Sequence, residues 1–273
     1  MPQQLPLSFS YQAPGRIWQI KADSLNSSLA LEVRNQLQEV SFAYLQPLQD
    51  RVIFEGLSLE GGLLTNLVAC QGNVLLFQQF DDLENPANVT TVALAAQNQE
   101  VLWAVSNYRH VFFAKEVSVG RTGEGEGEEE GWAAIHLLDG SVQDLDEQAV
   151  EKLRAAADVS GPQHNNLLLP AVFEEGETHF STVAEFLQMY LGAEALKSCE
   201  YLHVFDKMAI SFYTADGEKM ANQIAVFDAE GNLLLQQIMA SDLHKPGSET
   251  FMVWNQQLFF IENSSCLKGY NLQ

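Results

Sequence analysis

Basic residues are scarce in this chain: 14 Lys and Arg stand against 36 Asp and Glu, a net charge of −22 over 273 residues. A surface that acidic repels phosphate backbones and anionic bilayers, so neither nucleic acid nor a membrane surface is an expected partner. A basic protein partner suits it better. Cysteine is scarcer still. Cys70, Cys199 and Cys266 lie far apart, with no CxxC pair. That excludes a disulfide framework or zinc site as the expectation and fits a reducing cytoplasm. No basic stretch leads into an apolar run near the N-terminus, and no window approaches the roughly 18 apolar residues of a membrane span. A cytoplasmic, monomeric protein is therefore expected.

Catalytic signatures are missing as well. There is no GxSxG elbow, no GxxxxGK[ST] loop and no HExxH pair. The GxG within residues 123–127 has no helix after it and lies in a run of glutamates, where phosphate is repelled. The histidines, His110, His136, His164, His179, His203 and His244, are scattered, no two within four residues of each other. Each reads as a surface or satisfied core residue. No catalytic residue, cofactor-binding residue or metal ligand stands out, and no cofactor is expected.

What is present is apolar and repetitive. The chain is 47% hydrophobic and 10% aromatic, enough for a large core. Four hairpins share one layout, beginning at Ala43, Ala93, Ala134 and Ala225. In each, an apolar run meets a polar turn and a second apolar run. The turns hold Pro47, the Gln97–Glu100 stretch, Asp139-Gly140 and Glu230-Gly231-Asn232, residues that favour tight reversals. Each hairpin follows another β-like run, at Ser27, Asn73, His110 and Met208, and a fifth such run starts at Gln257. The alanines recur at intervals of 50, 41 and 91 residues. Blades of four strands repeat about every 40–50 residues, so the last interval holds two units, one of them degenerate and near residues 167–180. One all-β, mainly antiparallel domain over residues 1–273 is therefore expected, β-propeller-like, with about six four-stranded blades and five or seven as alternatives. A β-sandwich is the competing architecture.

The unit resembles the quinoprotein-type propeller repeat, in which an Ala opens the hairpin, a Gly closes its turn and a Trp follows ten residues after the Ala. Here Gly140 and Gly231 keep the Gly and Trp103 keeps the Trp, while Asp144 and Leu235 stand at the Trp positions of the last two hairpins. Trp103 is expected to be buried between blades. The whole chain also resembles a family of uncharacterised bacterial proteins, mostly from Bacteroidetes, through "GRIWQIKAD", "LALEVRN", "VSFAYL", "EYLHVF" and "IAVFDAEGNLLL". That resemblance implies no activity.

Two stretches interrupt the β pattern. Residues 144–157 read as a helix with Asp144 as N-cap and Glu147 at capping-box spacing. Residues 181–197 read as a second, with Thr182 and Glu185 at the same spacing. Its apolar stripe is Val183, Phe186, Leu187, Tyr190 and Leu191, and Gly192 is its C-terminal stop. Residues 120–131 hold five glutamates and five glycines and read as a solvated loop without the spacing of an EF-hand. At the ends, Gly15 and Trp18 look like the end of a repeat, so residues 15–20 are expected to complete the blade of residues 257–272. The functional expectation is a binding platform for a protein partner. The alternative is an enzyme with a metal- or ligand-dependent site on the propeller axis.

Overall fold

The computed structural model describes residues 4–23, 25–37, 39–81, 88–123, 130–164 and 167–273, with residues 158–164 as backbone alone. β1 (Leu7–Gln12) precedes a first sheet of four strands, β2 (Arg16–Asp23), β3 (Ser28–Arg34), β4 (Val40–Gln46) and β5 (Arg51–Leu57). The second sheet is β6 (Thr65–Gln71), β7 (Val74–Phe80), β8 (Val89–Ala95) and β9 (Val101–Ser106). The third is β10 (Tyr108–Ala114), β11 (Val117–Thr122), β12 (Gly131–His136) and β13 (Val142–Leu145), followed by α1 (Glu147–His164). β14 (Leu167–Leu168), β15 (Ala171–Glu174) and α2 (Thr178–Leu191) come next. β15 forms the edge of the fourth sheet, with β16 (Leu196–Val204), β17 (Lys207–Asp216), β18 (Lys219–Asp228) and β19 (Leu233–Leu243). The fifth sheet has the order β1, β22 (Cys266–Asn271), β21 (Gln257–Glu262), β20 (Phe251–Trp254), β14.

Within each sheet the main strands are sequence neighbours paired antiparallel, the meander of a propeller blade. A sandwich would send the chain back and forth between two sheets. The repeated alanines prove equivalent: Ala43, Ala93, Ala134 and Ala225 lie on the next-to-last strands of their sheets, opposite Leu31, Leu76, Val119 and Ile210 of the preceding strands. All four are buried.

Two expectations are corrected. The described residues form five sheets, at the lower end of the anticipated range. The stretch expected to make a degenerate blade instead supplies two edge strands, because only residues 167–174 are extended before Gly176 (φ 99°) turns the chain into α2. Residues 15–20 do not pair with 266–272. They belong to β2, in the first sheet, and β1 makes the pairing instead, with Phe9 opposite Gly269 and Tyr11 opposite Leu267. Alternation explains the choice: Phe9 and Tyr11 point inward and are buried, whereas Trp18 is 49% exposed.

The chain divides into two compact units, residues 15–165 and residues 1–14 with 166–273. In the first unit the core lies between successive sheets. Phe42, Tyr44 and Phe77 join the first to the second, and Trp103, Tyr108 and Ile135 join the second to the third. In the other unit, Val226, Phe251 and Phe260 join the fourth to the fifth, and Leu187, Phe212 and Phe227 join α2 to the fourth.

Candidate functional site

α2 builds a cleft on the fourth sheet. It starts after Glu177, whose side chain turns back to accept the N–H of Glu174 at 2.9 Å. The helix ends where Gly192 adopts φ 66° and donates its N–H to Gln188. Phe180, Val183 and Leu187, at spacings of three and four, are buried against Cys199, Ile210 and Phe212. The start lies at Thr178 and the end at Leu191, so the expected helix is shifted towards the N-terminus. Thr182 is not a cap: its hydroxyl donates to the carbonyl of Thr178 within the helix. Residues 196–197 open β16 instead.

Beside this contact the helix stands off the sheet. Phe173, His179, Thr182, Val183, Phe186, Tyr201, Met208 and Ile210 line a cavity of about 280 Å³. The ring of Phe173 lies 5.1 Å from His179 and 6.4 Å from Tyr201, and Phe186 meets Phe227 edge-on at 5.0 Å. His179 and Thr182 are exposed, so the cavity reaches solvent. Leu168, Leu169, Val172, Met189 and Tyr190 add exposed apolar surface on the same stretch of chain. Glu174, Glu175, Glu177, Glu185 and Glu194 are all exposed on the elements that frame the cleft. Lys197, the one lysine or arginine on that stretch, is paired with Glu175 at 3.5 Å. An apolar hollow with an acidic rim can take an apolar side chain carried by a basic segment.

The edge of β15 beside the cleft is partly occupied. The Glu174 N–H goes to Glu177, the Glu174 carbonyl accepts the N–H of Glu177, and Pro170 just before the strand has no N–H. The Glu174 end of this edge is therefore closed to an added strand.

The buried acids elsewhere are structural clamps between sheets. Asp23 accepts from Leu25 N, Gly72 N, Asn73 N, Asn26 Nδ2 and Tyr44 Oη, tying the first sheet to the β6–β7 turn. Burial and the Asp23 charge push the Tyr44 phenol far above its ordinary value, so it stays a donor. Glu32 accepts from Leu67 N at 2.9 Å and meets Arg34 at 2.6 Å. In the third sheet Ser118 Oγ lies 2.7 Å from Tyr108 Oη and 2.8 Å from His110 Nδ1. Burial pushes the His110 pKa down to about 4, with the nearby Lys21 charge adding to it. The imidazole is thus neutral, and its tautomer sets whether Nδ1 donates to Ser118 Oγ or accepts from it. Ser118 itself is fully buried, so this line of groups offers no hydroxyl to a substrate.

Of the other histidines, His136 sits 3.1 Å from Asp139 in the β12–β13 turn, and His203 and His244 are exposed. The side chain of His164 and the acidic stretch 124–129 lie outside the described residues. Trp103 is buried as expected, between the second and third sheets. The first helix starts at Glu147, with Asp146 Oδ1 accepting Ala149 N at 2.7 Å. Asp144 cannot cap it, because it is paired with Ala133 in β13.

A family model described as a domain of unknown function (DUF4905) matches residues 22–103. No curated protein matches the chain. Among solved structures, the chain is similar to the β-propeller domain of the Trilobed protease from Pyrococcus furiosus, at 10% identity, over 90% of this chain and 82% of that one, with a TM-score of 0.33. It is similar to a member of the DUF4221 family from Bacteroides vulgatus at 9% identity, over 99% and 95%, with a TM-score of 0.33. It is also similar to a chain of the Mitotic Checkpoint Complex at 9% identity, over 99% and 96%, with a TM-score of 0.39. No activity follows from likenesses at this level.

Proposed function

We propose that this protein is a non-enzymatic binding module, acting as a monomer, whose partner is a protein segment with one apolar side chain flanked by basic residues. The cleft beside α2 carries this reading: it is apolar inside, open to solvent and framed by five exposed glutamates. The apolar side chain supplies affinity by leaving water, at roughly 25 cal/mol per Å² buried. The glutamates supply orientation and rate, and their contribution weakens as salt rises.

The test is a panel of short peptides, each with a central Leu or Phe, flanked either by Lys and Arg or by Glu and Asp. Binding is followed by NMR shifts of α2 and β16 amides. The expected result is that basic-flanked peptides shift these amides and acidic-flanked peptides do not. Thr182→Trp, an exposed helix position at the cleft, should fill the hollow and abolish the shifts without unfolding the protein. Equal binding by both peptide sets, or binding unchanged in Thr182→Trp, overturns the reading.

A further inference from the structure

Glu200 is a buried carboxylate with no cationic partner among the described residues, and it lacks the five donors that surround the buried Asp23. It sits on β16 at 1% exposure. Its Oε2 accepts Thr250 N at 2.9 Å and lies 2.5 Å from Thr250 Oγ1. Its Oε1 is buried without a hydrogen-bond partner. Glu32 does a similar job in the first sheet, gripping a backbone N–H of the next sheet, but there Arg34 neutralises the charge. Residues 166–273 contain no arginine at all.

The contacts beyond Glu200 form one line. Thr250 Oγ1 lies 2.7 Å from Ser211 Oγ, and Ser211 Oγ lies 2.9 Å from Asn222 Oδ1. Asn222 Nδ2 lies 3.3 Å from Tyr213 Oη, which accepts Gly247 N at 2.8 Å. Each hydroxyl has a single proton to give. With Asn222 Oδ1 facing Ser211, the Ser211 proton goes to Asn222 and the Thr250 proton goes to Ser211. The short Glu200–Thr250 contact then has a proton only if Glu200 carries it. An ionised Glu200 requires the reverse: Thr250 donates to the carboxylate, Ser211 donates to Thr250, and the Asn222 amide turns over to donate to Ser211 and accept from Tyr213. One proton and one amide rotation thus reverse the whole line.

We propose that Glu200 and Asn222 are the two ends of a proton-operated latch on residues 244–250, the connection from the fourth sheet to the fifth. With the proton on Glu200 the line runs from Glu200 to Tyr213 and the connection is closed. Without it an anion is left buried with no cation, and the connection opens to hydrate it.

The titratable groups around Glu200 favour the proton. Cys199 adjoins it on β16, Tyr213 is on β17, and Glu249 on the connection carries the same charge. His244 and Lys245, also on the connection, are exposed. β15 places Val172 opposite Glu200, and β18 and β20 contribute only Asn222 and apolar residues near the line. Burial pushes the Glu200 carboxyl above its ordinary range, and the Glu249 charge adds to this, against the hydrogen bonds from Thr250 and Glu249 N. A folded pKa raised in this way stabilises fully below the unfolded pKa of about 4.3, and the stabilisation is lost as pH rises through the folded value.

Hydrogen exchange of Thr250 N–H and Gly247 N–H across acidic to mildly alkaline pH, corrected for intrinsic base catalysis, tests the latch. Protection of these two amides should fall up to tenfold per pH unit above the folded pKa, the slope for release of one proton. Amides of β17 and β18 away from the line should stay constant. In Glu200→Gln, neutral at every pH, the slope should vanish. If that variant fails to fold, the wild-type infrared spectrum still decides. A protonated-carboxyl band that disappears over the same pH range supports the latch. Protection independent of pH, or a slope that persists in Glu200→Gln, overturns it.

Discussion

Trp103, on the last strand of the second sheet, packs directly on Gly140 in the β12–β13 turn of the third. Its Nε1–H donates to the Leu137 carbonyl at 2.9 Å, and a Cβ built on Gly140 would stand 2.6 Å from the Trp103 Cβ. Gly140 also has φ 70°. Ring and turn therefore fit only as a pair. Trp103→Ala should cost about 3–5 kcal/mol, as loss of a large buried aromatic does. Gly140→Ala should cost at least about 1–3 kcal/mol from the strained backbone alone. Urea midpoints of both variants check this, and a wild-type midpoint for Trp103→Ala would refute the packing.

The Glu32–Arg34 pair should behave asymmetrically. Arg34→Ala leaves a fully buried carboxylate unneutralised and should cost about 3–5 kcal/mol. Adding Glu32→Gln to that variant should recover part of the loss, because the buried charge is gone. Chemical denaturation of the two single variants and the double variant measures the difference.

His110 should make the protein acid-sensitive. Its folded pKa, pushed to about 4 by burial and then by Lys21, lies below the unfolded value of about 6.5. Its contribution is therefore complete above pH ~6.5 and lost as pH falls towards 4. The size is on the order of 2–3 kcal/mol. His110→Gln should remove that slope when stability is compared at pH 7 and at pH 4.5.

Thr122 and Gly131 pair at the end of the β11–β12 hairpin. Replacing residues 124–129 with a short turn should leave this pairing intact and move the melting temperature by only a few degrees, on the scale of about 1 kcal/mol. A scanning-calorimetry trace of the shortened chain checks this.

The repeat was legible because it is local. Alanine, turn and second arm fall within about a dozen residues, and alternation fixes which side each residue faces. The shared strand position of the four alanines and the burial of Trp103 follow directly. Capping signals were weaker, because Asp144 and Asp146 both precede the same helix and only strand pairing decides between them. The cleft was hidden. Phe173 and Tyr201 lie 28 positions apart and meet only through the β15–β16 register, while Phe180 already opened the 3–4 spacing that places α2. Glu200 was hidden too, since a glutamate in an alternating strand reads as surface.

Pairing between β1 and β22 joins residues 7–12 to residues 266–271. On a ribosome adding about 5–20 residues each second, the first of these strands waits on the order of ten to fifty seconds for its partner. Throughout that wait Phe9 and Tyr11 have no sheet to cover them. A chain cut before residue 266 therefore lacks the strand that β1 pairs with.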